Sequence, residues 1–587
     1  MSIRQENYPR PQLVRAPESW VNLNGIWNFA FDDNRQGRRQ EWYNTFPCHQ
    51  SIRVPFSYEA PLSGIGDSRF HPCVWYHRTI ILDPSDLAGD LLLHFEGCDY
   101  ICSVWINGRL AGMHQGGYTR FSCDITDLAS AGSNDIVVCA EDSMSQHHPR
   151  GKQRWKRDSF SCWYVQTTGI WKTVWLEKVP KTYLGNLRLT PCLAEQVLHV
   201  EYGLNHVSPD VRIRFIVSFS GTPVSEHVIE HAPSKGKAVL SVRNTDLDEW
   251  GVRLWSPDQP NLYDLDITVE DVPSGIVDSV KSYFGMREIR IEKGTVYLND
   301  RPLYQKLVLD QGYWPDGLLT PPSDEALRKD VELTRLLGYN GARKHQKIED
   351  ERYYAWCDRL GLLVWCEMPS AYSFDAETVS CLTREWCEAV RQNYNHPSII
   401  TWVPLNESWG VPNIKCDGCQ QYLSRALYDL THALDATRLV ISNDGWEHTE
   451  SDLVTIHDYD SDGASIRKKY TQNLEEVLDN SLSPNHYKTV FAGDNRYHGQ
   501  PLLISEYGGI AFSEDEDGWG YGEKVAGETA FLQRFSDTLE GIRAIPACQG
   551  YCYTQLTDVQ QEMNGLLRED RTPKAPVDEI RRLNQKD

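Results

Sequence analysis

The first 181 residues alternate apolar and polar positions in short runs. "LLLHFEGCDY" (91–100), "ICSVWINGRLAG" (101–112) and "GIWKTVWLEKV" (169–179) have this form, and Asn107-Gly108 supplies a tight turn. A period of two, broken by Gly, Asn and Asp, predicts an antiparallel β-sandwich of jelly-roll type over residues 1–181. The alternation persists through "LHVEYGLNHV", "RIRFIVSFSG" and "NLYDLDITVE". Residues 182–288 therefore read as a second sandwich, of immunoglobulin-like size.

The rhythm changes at residue 289. Eight apolar runs, ending near 309, 343, 367, 405, 442, 457, 506 and 554, alternate with helical segments. The first helix is expected to have Ser323 as N-cap, Asp324 and Glu325 in its first turn, and Gly338 at its close. Others reach Leu360 and about Asn393, span Gln420 to Ala433, and lie around 523–540. Eight β/α repeats predict a (β/α)8 TIM barrel over 289–587. The chain is thus expected to be multidomain, with two all-β sandwiches followed by a barrel.

Charge and composition narrow the partners. A formal net charge of -23 argues against nucleic acid or an anionic membrane, both of which need basic surface, so neither is expected. No window approaches the roughly 20 apolar residues of a membrane span. Sixteen cysteines, with no apolar leader in "MSIRQENYPRPQLVR", point to reduced thiols and a cytoplasmic location. Nineteen tryptophans serve β-domain cores first, although exposed indole faces also suit sugar rings.

The chemistry is concentrated in two runs. "TWVPLNESWG" (401–410) ends its strand at Asn406 and Glu407, and "PLLISEYGG" (501–509) ends at Glu506. A barrel collects its strand C-termini in one mouth, so both carboxylates should face a single cavity. Cleavage of a glycosidic bond needs that pairing: one group protonates the leaving oxygen, and the other attacks or activates water.

The order of domains resembles glycoside hydrolase family 2, which includes β-galactosidases, β-glucuronidases and β-mannosidases. The likeness is carried by "VWINGRLAGMHQGGYTRFSCDIT", "TGIWKTVWLE", "FGMREIRIEKGTVYLNDRPL", "GYNGARKHQ", "CDRLGLLVWCEMP", "HPSIITWVPLNESWG" and "LLISEYGG", in that order along nearly the whole chain. It implies a retaining exo-β-glycosidase acting on small glycosides, with Glu407 as general acid/base and Glu506 as nucleophile. Such an acid would have a raised pKa, with Trp409 as an apolar wall. Asn406 is expected at the sugar 2-OH. Tyr459 would donate to Glu506, and Arg343 would keep it ionised. Further candidates for sugar contacts are Asp310, His345, Glu367, Asn443, Asp444, His457, Trp446 and Trp519, whereas Trp365 reads as core. Asp310 stands where the family commonly has His, and Thr554 where many members have Trp.

No cofactor or metal is expected, since two carboxylates suffice, although the resemblance allows an auxiliary ion. "DYDSDGASIRKK" begins like a calcium loop but has Lys469 at position twelve, and Cys416 and Cys419 have zinc-type spacing without a second pair. A homo-oligomer is compatible with the resemblance. For the sugar, the sequence favours a neutral β-galactoside. The family's uronate-binding Asn-x-Lys is replaced by Glu562 and Asn564 ahead of "GLLREDRTPK", and an anionic Glu562 would repel a carboxylate. β-Hexuronides, β-mannosides and furanosides are the alternatives within the reaction, and a non-catalytic carbohydrate-binding protein is the alternative to it.

Overall fold

The computed structural model describes residues 8–243, 251–485, 487–512 and 518–585. In the first domain a four-stranded and a six-stranded sheet enclose a core that includes Trp27, Phe29, Tyr76, Leu93 and Val138. Strand Gly132–Glu141 is its spine, pairing with Cys73–Leu82 on one side and Ile101–Ile106 on the other. Asn107 and Gly108 both take positive φ, 51° and 77°. That geometry matches the twist of a two-residue hairpin. The second domain packs a three-stranded sheet against a four-stranded one between Tyr183 and Phe284. Its inward side chains include Leu187, Val200, Phe215 and Ile267.

The barrel strands are Gln305–Asp310, Gly341–Lys344, Leu363–Glu367, Ile399–Val403, Leu439–Val440, Val454–His457, Leu502–Gly508 and Cys548–Thr554. All recorded pairings among them are parallel, in the order five-four-three-two-one-eight-seven-six. The seam between strands five and six is closed by other hydrogen bonds. The Asp452 amide donates to the Val440 carbonyl (2.9 Å), and the Gly445 amide donates to Thr455 Oγ1 (3.1 Å). Helices cover the strands on the outside, which explains why the strand sequences are continuously apolar.

Local signals act where expected. Ser323 caps helix Asp324–Leu336 by accepting from the Ala326 amide (3.1 Å), and Gly338 ends that turn at φ 92°. Asp462 belongs to the same class of device: it caps helix Gly463–Thr471. Asp458 is held by Lys469 (2.6 Å) and Tyr470 (2.7 Å), so the calcium-like run is a helix start. Asp417, between the two cysteines of "CDGC", caps helix Gly418–Leu434.

Candidate active site

Glu407 leaves the fourth strand on a strained loop. Both Glu407 (φ 52°) and Ser408 (φ 59°) are left-handed, which costs about 1–2 kcal/mol each for residues with a Cβ. Neighbours hold this shape. The Glu407 amide donates to the Asp444 carbonyl (2.9 Å), and the Trp409 amide donates to the Asn406 carbonyl (2.9 Å). Asn443 Oδ1 accepts from the Ser408 amide (3.0 Å), and Ser408 Oγ donates to Glu447 (2.5 Å). Asn443 was expected at the sugar; its side chain is instead occupied with the turn that aims Glu407.

Across the mouth, Glu506 Oε1 accepts from Arg343 Nη1 (2.6 Å), and its Oε2 accepts from the Tyr459 hydroxyl. Arg343 is completely buried. It also donates from Nε to Glu367 (2.7 Å) and from Nη2 to Asn406 Oδ1 (2.6 Å), and its Nη1 lies 2.8 Å from Asp444. Asn406 is thereby oriented with Nδ2 buried and, among the described residues, without a partner. A sugar hydroxyl would meet that demand.

His457 lies between the two glutamates. Its Nδ1 donates to Glu407 Oε1 (2.8 Å) and is 3.5 Å from Glu506 Oε2, while Nε2 donates to Asp444 Oδ2 (3.0 Å). Two donating nitrogens define an imidazolium. Burial opposes that charge, but Glu506, Asp444 and Glu407 outweigh it and raise the pKa to about 10. Glu407 differs from expectation. Burial pushes its carboxyl up, yet the His457 hydrogen bond and charge, with Lys152, pull it down to about 2. Trp409 is no apolar wall either: its Nε1 donates to Glu407 Oε2 (3.2 Å) and favours the ionised form. The acid's proton is therefore stored on the Glu407–His457 pair.

The remaining candidates divide. His345 lies 2.9 Å from Glu367, and burial holds its imidazole neutral. Burial pushes Glu367 up to about 7 against the pull of Arg343. Trp446, beside His457, lines a cavity of about 370 Å³ that opens at Glu407, Trp409 and Lys488. Trp519 donates Nε1 to the Ser161 carbonyl (3.0 Å) and sets its ring edge against Tyr521. Asp310 is buried and takes no part in the glutamate network. Its carboxylate is occupied by Lys344 (2.8 Å) and the Gly312 amide (2.8 Å). Trp365 is core, with Nε1 on Gln305 (2.8 Å). Thr554 Oγ1 accepts from the Tyr459 hydroxyl (3.2 Å).

The first domain contributes a wall of the mouth that the sequence did not show, and it meets Glu562, the partner of Asn564. The first-domain loop 150–165 lies against the barrel. The Arg150 amide donates to the Ser370 carbonyl (3.0 Å), and Trp163 meets Trp409 edge to face at 5.3 Å. The Tyr164 hydroxyl donates to Glu562, which also accepts from Asn564 Nδ2 (3.1 Å). Tyr521 stacks on Tyr459 with centroids 3.4 Å apart. Buried Lys152 comes from the same loop. Burial opposes its charge, and nearby acidic groups, Glu562 and Glu407 among them, favour the ammonium.

One ligand atom from each of Glu407, His457 and Glu506 lies within 4.8 Å of the others. That spacing would also serve a metal ion, which would have to displace a proton from His457. Two carboxylates at this separation, across a barrel mouth, define an O-glycosyl hydrolase. Residues 20–180 match "Glycosyl hydrolases family 2, sugar binding domain", residues 182–287 "Glycosyl hydrolases family 2", and residues 289–586 "Glycosyl hydrolases family 2, TIM barrel domain". The chain belongs to glycosyl hydrolases family 2.

Among its relatives is a putative β-glucuronidase of Formosa agariphila, 30% identical over 410 residues. That match covers 66% of this chain and 47% of the relative, so the chain spans about half of that protein's length. The β-glucuronidase of Sus scrofa is 26% identical over 88% of this chain and 82% of its own. A β-galactosidase of Leuconostoc mesenteroides is 25% identical over 69% of this chain and 41% of its own. In fold, the chain is similar to the Ruminococcus gnavus β-glucuronidase solved with D-glucuronic acid. The TM-score is 0.77 at 18% identity, over 99% of both chains.

Proposed function

We propose that this chain is a retaining exo-β-glycosidase that releases a terminal hexuronic acid from small glycosides. The observation that carries the mechanism is the approach of Glu407 and Glu506 oxygens to within 4.8 Å of one another. Inverting enzymes hold their carboxyl groups about 6.5–9.5 Å apart to fit a water, and retaining ones about 5–5.5 Å. Glu506, held by Arg343 and Tyr459, attacks the anomeric carbon. The leaving oxygen takes the proton held by Glu407 and His457. Water then attacks the glycosyl-enzyme, returns its proton to Glu407 and frees Glu506, so the anomeric configuration is retained. Asn406 Nδ2 is placed to donate to a hydroxyl beside the reacting carbon.

The sugar assignment departs from the β-galactoside favoured by the sequence alone. Two considerations support it. Several relatives that span most of the chain are named β-glucuronidases. Glu562, the reason to exclude a uronate, is not an unpaired anion facing the sugar. Its oxygens accept from Tyr164 and Asn564, and Lys152 offsets its charge. A reducing, cytoplasmic setting suits the sixteen cysteines, all free thiols.

The test is a panel of nitrophenyl glycosides. A β-glucuronide or β-galacturonide should exceed the matching glucoside or galactoside at least tenfold in kcat/KM, about 1.4 kcal/mol. Preference for a neutral galactoside would restore the β-galactosidase reading.

A further inference from the structure

The catalytic network accounts for the cations on the barrel strands, and a further buried cation, Lys152, joins the mouth from the first domain. Arg343 is shared among Glu367, Asp444 and Glu506; Lys344 is paired with Asp310 and Glu349, and Lys347 with Glu349. Lys152 is 8% exposed and, among the described residues, has no carboxylate within the 4.0 Å of an ion pair. A buried ammonium without a direct counter-charge carries a desolvation penalty, which an anionic ligand would offset.

The backbone around Lys152 is built to hold it in the mouth. Its carbonyl accepts from the Tyr164 amide (2.8 Å), so it sits opposite the residue whose hydroxyl reaches Glu562. Just before it, the Gly151 amide donates to the Ser370 carbonyl (3.1 Å), and the Gly151 carbonyl accepts from Tyr372 (2.6 Å). Gly151 has φ 60°, and a Cβ there would lie 2.6 Å from the Gln346 carbonyl. The loop is therefore pressed against the chain leaving the second barrel strand, with no room for a side chain between them. Cys162 is the neighbouring thiol, and burial pushes its pKa up while Lys152 pulls it down. With three N–H donors, Lys152 keeps capacity for a ligand.

Resting on the hexuronidase reading, we propose that Lys152 is the specificity-determining residue of the site, donating directly to the carboxylate of the bound uronic acid. The cation that reads the sugar then comes from the first domain, and the carboxylates that cleave it come from the barrel. The bound carboxylate would give Lys152 the direct ion pair that it lacks, while Glu562 remains satisfied by Tyr164 and Asn564.

The experiment compares wild type, Lys152→Met and Lys152→Arg on nitrophenyl β-hexuronides and on the matched neutral glycosides. The uronide-to-neutral ratio of kcat/KM should fall about a hundredfold in Lys152→Met, mainly through KM, and recover in part in Lys152→Arg. A fall of more than tenfold supports the assignment. A smaller fall, in an enzyme that still prefers uronides, overturns the role of Lys152 and leaves the hexuronidase reading standing. A wild type that prefers neutral sugars overturns both. If Lys152→Met does not fold, the wild type is compared on a glucuronide and its C6 amide. More than tenfold preference for the carboxylate supports a cationic contact, and less than tenfold overturns it.

Discussion

Two buried arginines, one at the barrel mouth and one at the junction of the two sandwiches, sit in similar company and serve different ends. Arg15 donates to Asp278 (2.8 and 2.9 Å), to Glu177 (2.7 Å) and to the Leu184 carbonyl (2.7 Å). Glu177 is completed by Tyr8 (2.7 Å) and His94 (3.0 Å), and His94 by Ser122 (2.6 Å). Every polar atom of these six side chains has a partner, although Arg10 beside them leaves Nε without one among the described residues. The Arg343 cluster is just as charged and as buried, yet among the described residues Asn406 Nδ2, Asp444 Oδ1 and Trp446 Nε1 are left without one. The histidines differ as well: burial lowers His94, whereas carboxylates raise His457 to about 10. Cavity size would mislead. The junction carries a cavity of about 730 Å³, roughly twice that beside Glu407. Several unmet hydrogen-bonding groups and a stored proton mark the reactive cluster; near-complete pairing marks the structural one.

Substitutions should separate the two clusters. Glu506→Gln is expected to lower kcat/KM by more than a thousandfold, over about 4 kcal/mol, while leaving the thermal midpoint nearly unchanged. Steady-state kinetics with parallel melting checks this. Arg15→Met should do the reverse. Stranding Glu177 and Asp278 in the interior costs about 3–5 kcal/mol of stability, read by denaturant titration, with kcat/KM of the folded protein within about threefold of wild type. A loss of turnover in folded Arg15→Met would erase the distinction.

Smaller, but specific to the mouth, is the dependence of stability on pH. His457 has a raised folded pKa, so its contribution is complete below the unfolded value of about 6.5 and is lost as pH climbs toward about 10. Glu407 has a depressed one, so its contribution holds above about 4.3 and is lost as pH falls toward about 2. The melting midpoint should therefore decline between about pH 6.5 and 10, and His457→Asn should flatten that limb. The junction pair adds no such limb, because His94 is neutral throughout that range. An unchanged alkaline limb in His457→Asn would mean that His457 is not the stored charge.

The sequence disclosed the barrel because its strands are uninterrupted apolar runs ended by polar clusters, and the catalytic pair because both glutamates stand at such ends. Capping at Ser323 was legible for a local reason: the cap and its helix are adjacent in the chain. The wall around Lys152 was not legible, because it depends on contact between residues some 200 to 400 positions apart, such as Tyr164 with Glu562. One signal was available. "RGKQRWKR" (150–157) places five cations in eight residues of a chain with net charge -23. The direction of the Glu407 shift was also beyond reach. Trp409 is visible as a neighbour, but whether it turns its face or its N–H to the carboxylate is set by the left-handed turn at 407–408. The position of His457 between the two carboxylates depends on pairing across the sixth and seventh strands.

The central claim is that Glu506 forms a covalent bond to the sugar. It is tested most directly by incubating the enzyme with a 2-deoxy-2-fluoro hexuronosyl fluoride and mapping the modified peptide by mass spectrometry. Fluorine at C2 slows both steps, and the reactive leaving group lets the first outrun the second, so the intermediate accumulates. The account predicts one glycosyl unit per chain, attached to Glu506, with loss of activity in proportion. A label on any other residue, or an enzyme that turns over activated glycosides and never becomes labelled, would contradict it.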